Sequence, residues 1–221
     1  MMLITLFLAI APPLLILWFV IKSDKFEEPS GLIIKTFLLG WMLCIPASFL
    51  NGIFIWSQDQ PIEYSYIAGL TEESLKFLAI FFFIRHKTDF NEPLDAIVYG
   101  TLISLGFATM ENLEYVFLSG AEYSSFAIAI IRALTAIPMH ATCGIIMGYY
   151  FGRYAFKNDK VSLIKSLMLP MVFHALYNFL ITQSILGIIL LFGMIYFAIR
   201  LHSDYLNDQK HKLIEEEKKL I

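Results

Sequence analysis

Long apolar runs separated by short polar stretches set the pattern of this chain. A membrane-spanning helix takes about 20 mostly apolar residues. Seven runs meet that length: 2–22, 31–55, 64–84, 94–118, 125–152, 162–183 and 185–201. The first lacks a basic leader and its positive charge follows the apolar run, so it reads as a retained span and not a cleaved signal peptide. The fifth is long and contains Pro138, which predicts a kink or an end outside the bilayer. The stretch "HSDYLNDQKHKLIEEEKKLI" is charged and reads as a cytosolic tail, a solvated helix. The expectation is an all-α polytopic bundle of about seven transmembrane helices, with a membrane unit over 1–201 and a tail over 202–221.

Composition agrees. Of 221 residues, 58% are hydrophobic and 16% charged, with mean hydropathy +0.68. Soluble domains average about 45–50% apolar and about 25% charged. A net charge of −3 and the lack of a basic arm argue against nucleic acid as a partner. The two cysteines, Cys44 and Cys143, both lie in apolar runs, so no disulfide framework is expected.

Lysine and arginine alternate between linkers. Lys25, with Lys22 and Lys35 beside it, marks the first. Arg85 and Lys87 mark the third, and Arg153, Lys157 and Lys160 the fifth. The tail carries Lys210, Lys212, Lys218 and Lys219, while 56–63, 119–124 and the region around 184 have none. The positive-inside rule then places the N-terminus outside and the C-terminus in the cytosol.

Several ionisable residues interrupt the runs. Glu72, Glu73 and Lys76 are in the third; Glu111, followed by Asn112, is in the fourth; His140 is in the fifth; His174 and Asn178 are in the sixth. Each ionised group facing lipid at a helix centre costs roughly 2.5–3.5 kcal/mol, so these side chains are expected to face one another or a wet cavity. At about 1.5 Å per residue, Glu72, Glu111 and His174 all fall about 10–14 Å from the outer ends of their runs, with His140 near the middle of its own. Helical phase lets Lys76 pair with either glutamate, Glu72 standing in the favourable i,i+4 order. Asn178 lies one turn beyond His174, where it could hold the imidazole or bind a substrate carbonyl. Two stripes of small residues accompany these positions: His140, Gly144, Gly148, Gly152 and Ala96, Gly100, Ser104, Ala108, Asn112. Such stripes let membrane helices pack closely.

Structural readings stand beside the functional one. A Glu–Lys pair can be internal glue, and a lone histidine in a span can be a packing residue. Arg132 reads as a counter-charge or interfacial anchor, and Asp95, two residues after Pro93, as a helix cap. His86, His202 and His211 lie outside the runs and read as solvated. The functional case rests on the combination at one depth.

Two histidines with glutamates are the side chains that activate water. Two routes are open. In one, His140, His174 and Glu111 hold Zn²⁺ with a position left for water, and Glu72 acts as general base. In the other, no metal is used: a buried glutamate takes the proton from water, and a histidine or Asn178 stabilises the oxyanion. The sequence lacks H-E-x-x-H, lacks G-x-S-x-G and has no paired intramembrane aspartates, which excludes the corresponding hydrolase types.

The order E-E-x-x-K (72–76), F-x-x-x-E-N (107–112), H-x-x-x-G (140–144) and H-x-x-Y-N (174–178) resembles the PrsW family of intramembrane proteases, related to the CAAX prenyl endopeptidases and Abi proteins. The resemblance extends over most of the chain, including Ala11–Pro12, the "EP" at 28–29 and "DAIVYG" at 95–100. It implies a multi-pass protease of the bacterial cytoplasmic membrane that makes the first cut in a single-pass, membrane-anchored anti-sigma factor, near the extracytoplasmic face. By the same resemblance Glu72, Glu73, His140 and His174 are the catalytic positions, with Lys76, Glu111, Asn112 and Asn178 in support. Proteins of this type include both metallo- and glutamic-type descriptions. Asn178 departs from the Asp that often ends the last motif, and matches the CAAX pattern. The competing readings are a CAAX/Abi-type peptidase and a non-enzymatic small transporter or membrane scaffold.

Overall fold

The computed structural model describes residues 1–118, 124–181 and 184–219, and among these every regular element is helical. The helices are α1 (Met2–Ser23), α2 (Ser30–Asn51), α3 (Ile67–Ala79), α4 (Pro93–Phe117), α5 (Ser125–Leu134), α6 (Ala136–Lys157), α7 (Lys160–Ile181) and α8 (Leu186–Lys219). Single π-helical turns extend α2 (Gly52–Trp56) and α3 (Ile80–Ile84), and a short 3₁₀ turn (Pro61–Tyr64) links the two helices. Six helical stretches are long and apolar enough to cross a membrane. The third run differs: its helix carries Glu72, Glu73 and Lys76, which set it apart from those six.

The long fifth run is two helices. The break falls at Thr135 (φ −126°, ψ −70°), three residues ahead of Pro138. Pro138 then sits in the first turn of α6, where its missing N–H has no intrahelical partner to lose. Asp95 caps α4 as expected: its Oδ2 accepts the backbone N–H groups of Asn91 (2.7 Å) and Glu92 (2.8 Å).

α4 is the axis of the bundle. In its most apolar stretch 89% is buried, against 22% for α2 and for α7, which present large apolar side chains outward. The two small-residue stripes meet each other. A Cβ on Gly148 would lie 2.2 Å from the carbonyl oxygen of Ala96, so α4 and α6 touch backbone to backbone there.

The tail corrects an expectation. α8 runs without a break from the seventh span into it, and His202 is buried, with Nε2 3.0 Å from Ser23 Oγ. Tyr205 donates to the carbonyl of Tyr149 (2.7 Å), and the Gln209 amide bonds both Asp24 and Glu92. Polar side chains facing inward at this spacing dock the start of the tail against the α1–α2 turn and the start of α4. His86 and His211 are more exposed, as expected.

Candidate active site

The site forms where α3 lies against α7. A Cβ on Gly69 would be 2.5 Å from the backbone nitrogen of Ala175, so only glycine permits this approach. Four residues on from Gly69, Glu73 then meets the residue before Ala175: Glu73 Oε1 is 2.9 Å from Nδ1 of His174. Lys76 donates to the same carboxylate oxygen at 2.7 Å and lies 3.8 Å from Glu72 Oε2. The tighter ion pair is therefore the i,i+3 one. Lys76 Nζ also lies 4.2 Å over the ring of Phe107.

Hydrogen-bond partners fix the imidazoles. Lys76 Nζ is 3.0 Å from Nδ1 of His140, and an ammonium only donates, so Nδ1 accepts. Nε2 then carries the proton and donates to Glu111 Oε2 at 3.0 Å. His174 presents Nδ1–H to Glu73, which leaves Nε2 directed at Glu72, 4.0 Å from its Oε2. The two rings meet edge to face with centroids 5.0 Å apart.

Glu111 has a second partner, Arg132 Nη2 at 2.5 Å, and Arg132 also donates to Asn112 Oδ1 at 2.6 Å. Arg132 is thus the counter-charge of Glu111, brought in by the short helix α5. Asn112 in turn donates to the carbonyl of Ala9 on α1 (2.9 Å), a bracing contact away from the reacting groups. Asn178 does not hold the imidazole of His174; its amide donates to the carbonyl of Ser65 (3.1 Å) and ties α7 to the α2–α3 connection.

Asn51 was not anticipated. Thr71 Oγ1 donates to its Oδ1 at 2.6 Å, which turns its amide nitrogen toward Glu72 Oε1, 3.1 Å away. A single Asn at the end of an apolar run carries no signal of this in sequence.

One ligand atom from each of Glu72, Glu73, His140 and His174 lies within 4.8 Å of the others. Glu72 and Glu73 are 1% and 0% exposed, yet Oε2 of each has no hydrogen-bond partner. Two orphaned, buried carboxylate oxygens beside an imidazole nitrogen are a donor set that fits a divalent metal. His174 also has the carboxylate partner on its other nitrogen that metal-bound histidines typically have. Of the expected set, His140 and His174 lie in this cluster, with Glu72 and Glu73 beside them, while Glu111 Oε2 is engaged by Arg132 and His140.

Two cavities reach this centre. The larger, about 400 Å³, runs between the α2–α3 connection, α5, α6 and α7 and is lined by His140, His174 and Tyr177. The smaller, about 290 Å³, lies between α2 and α4. They share Asn51, Trp56, Glu72, Glu111 and Tyr115, so Glu72 stands at their junction.

A helical bundle that buries glutamates and histidines among its spans, and opens cavities onto them, defines a polytopic membrane protein of the intramembrane hydrolase class. A family model described as "PrsW family intramembrane metalloprotease" matches residues 28–202. Proteins named "Protease PrsW" align over most of the chain. That of Bacillus subtilis is 34% identical over 182 residues, 78% of this chain and 80% of the relative. That of Oceanobacillus iheyensis is 36% identical over 177 residues, 78% and 80%, and that of Geobacillus kaustophilus 34% over 178 residues, 78% and 77%. The chain belongs to the PrsW family and is a multi-pass membrane protein of the protease type. No solved structure matches it.

Proposed function

We propose that the protein is an intramembrane endopeptidase that hydrolyses a peptide bond in a single-pass membrane protein of the anti-sigma-factor kind, working from the outer half of the bacterial cytoplasmic membrane with its N-terminus outside. The observation that carries the reading is the Glu72 carboxylate, buried and half unsatisfied at the junction of two cavities, 4.0 Å from His174 Nε2.

In this reading Glu72 takes a proton from a water drawn between it and His174 as the water oxygen bonds to the peptide carbonyl carbon, and returns it to the amine that leaves as the C–N bond breaks. Glu73 holds His174 in the tautomer that leaves Nε2 free toward the water, and Lys76 neutralises Glu73. His140 and Arg132 keep Glu111 fixed as one wall of the groove. A metal, where one is used, would be held by His174, Glu72 and Glu73, with His140 beside them, and would act as a Lewis acid that lowers the pKa of bound water.

The experiment is incubation of the purified protein in nanodiscs with candidate single-pass substrates, with and without a chelator, beside Glu72→Gln. Cleavage by the wild type and none by a folded Glu72→Gln is expected; cutting by that variant would remove Glu72 from its role. Loss of activity with chelator, restored by Zn²⁺, assigns the metal route. Activity that persists assigns the glutamic route. Flux of a solute across liposomes without proteolysis would favour a transporter instead.

A further inference from the structure

The smaller cavity has an acidic lining, of which the hydrolytic reading leaves Glu114 unused. Glu72, Glu111 and Glu114 all line it, and no lysine, arginine or histidine is among the described residues that do. Two of these carboxylates are compensated from behind the wall: Glu111 by Arg132 at 2.5 Å, and Glu72 by Lys76 at 3.8 Å. Among the described residues, Glu114 receives neutral donors alone, Ser48 Oγ at 3.0 Å and Cys44 Sγ at 3.7 Å, both from α2. Those contacts hold the carboxylate in place, and no cation among the described residues pairs with it. The Glu72 Oε2 in the same wall is buried without a hydrogen bond.

Part of the lining is apolar, beside the polar Ser48 and Asn51. Cys44 and Ala47 on α2 face Phe107 on α4. An aliphatic stem packs against such walls while its charged tip reaches the carboxylate, as long basic side chains do. Glu114 is one turn beyond Glu111 on the same face of α4, about 4.5 Å along the axis. A side chain in this cavity therefore belongs to a residue beside the bond presented to Glu72.

We propose that the cavity between α2 and α4 is a substrate subsite for a lysine or arginine side chain, its cationic end held at Glu114. The inference rests on the protease reading and names a recognition element of its substrate: a basic residue flanking the cleaved bond. An acidic wall in a partly apolar cavity selects it both by attraction and by rejecting an acidic residue at that position.

The test uses single-pass substrates that differ only at one residue flanking the cut, as Lys, Arg, Gln or Glu, with the full-length protein in nanodiscs. The wild type is expected to favour Lys and Arg over Gln in kcat/KM by about tenfold, the scale of one charge-assisted hydrogen bond. Glu114→Gln brings that ratio toward one, and Glu114→Lys inverts it toward Glu. Ala47→Leu, which narrows the apolar part, lowers the preference for the long basic side chains without changing the charge. A wild-type ratio near one, or a ratio that Glu114→Gln leaves in place, overturns the subsite. Cleavage of the Gln substrate shows that the protease reading survives such a result. If no substrate is cut, that reading fails, and binding of labelled Lys and Gln peptides decides the subsite alone: tighter Lys binding that Glu114→Gln abolishes supports it, and equal affinities overturn it.

Discussion

Lys76 reaches from α3 across to α6 and donates to Nδ1 of His140 at 3.0 Å. One ammonium thereby fixes an imidazole tautomer and neutralises Glu73, the carboxylate that orients His174. Lys76, Glu73, His174 and His140 form one closed polar unit with 0–2% exposure. At that burial, each member depends on the others for its solvation.

Lys76→Met should therefore destabilise the fold by about 3–5 kcal/mol, because it strands a buried carboxylate. Chemical denaturation in mild detergent reads this. The double variant Glu73→Gln/Lys76→Met should recover much of the stability and none of the activity, since His174 then lacks its carboxylate. Equal stability of the single and double variants would show that the ion pair does not set the cost.

Asn51 should prove a positioning residue for Glu72. Asn51→Ala removes the donor to Oε1 and should lower kcat/KM by about tenfold or more, the scale of a hydrogen bond to a charged group, with little change in melting temperature. Thr71→Val, which lets the amide rotate, should act in the same direction more weakly. Asn51→Asp sets a second acid against Glu72 and should displace the pH–rate profile as well as lower the rate. Unchanged kinetics in Asn51→Ala would remove the residue from the site.

How much of this was legible beforehand follows from what each residue does. Glu72, Glu73, Lys76, His140 and His174 announced themselves because an ionisable group in an apolar run has an energetic cost that something must offset. The small-residue stripes pointed to close helix packing, because small residues at every fourth position share one helix face, but not to each other as partners. Asn51 carried no such mark, since a polar residue at the end of a span is ordinary. The partner of Asn178 was hidden for a related reason: spacing placed it on the face of His174, while Ser65, to which its amide donates, lies on another segment. Arg132 read as a counter-charge without a named partner, because it sits on α5, a separate short helix that the run of apolar residues did not show, and its guanidinium bonds Glu111. The buried start of the tail was hidden by its charge density, which reads as solvated.

Gly69→Ala should test the contact that assembles the site. The added Cβ meets the backbone of α7 at 2.5 Å, which no side-chain rotation relieves. A cost of about 1–3 kcal/mol is expected for such overpacking. The separation of α3 from α7 should also abolish cleavage by parting Glu73 from His174. Gly193→Ala, where nothing lies within 4 Å, is the control and should be neutral or slightly stabilising. Full activity in Gly69→Ala would mean that the two helices are not held together here.

Glu28, in the turn between α1 and α2, should make stability depend on pH. Its carboxyl is pushed up from an ordinary 4.5 to about 8, first by burial and then by Asp95 and Asp24, while its hydrogen bond from Tyr99 works the other way. Glu92, nearby at the start of α4, is raised as well, again mainly by burial. Between pH 4.5 and about 8 the folded protein therefore holds a proton on Glu28 that the unfolded chain has released. Stability falls with rising pH wherever the folded state binds more protons. The contribution of Glu28 is thus complete below 4.5 and lost as pH rises through about 8. Melting curves of the wild type should move down between pH 5 and pH 9. Glu28→Gln keeps a neutral acceptor for Tyr99, cannot ionise beside Asp24 and Asp95, and should flatten most of that slope, leaving the part due to Glu92. A slope identical in Glu28→Gln would place the proton elsewhere.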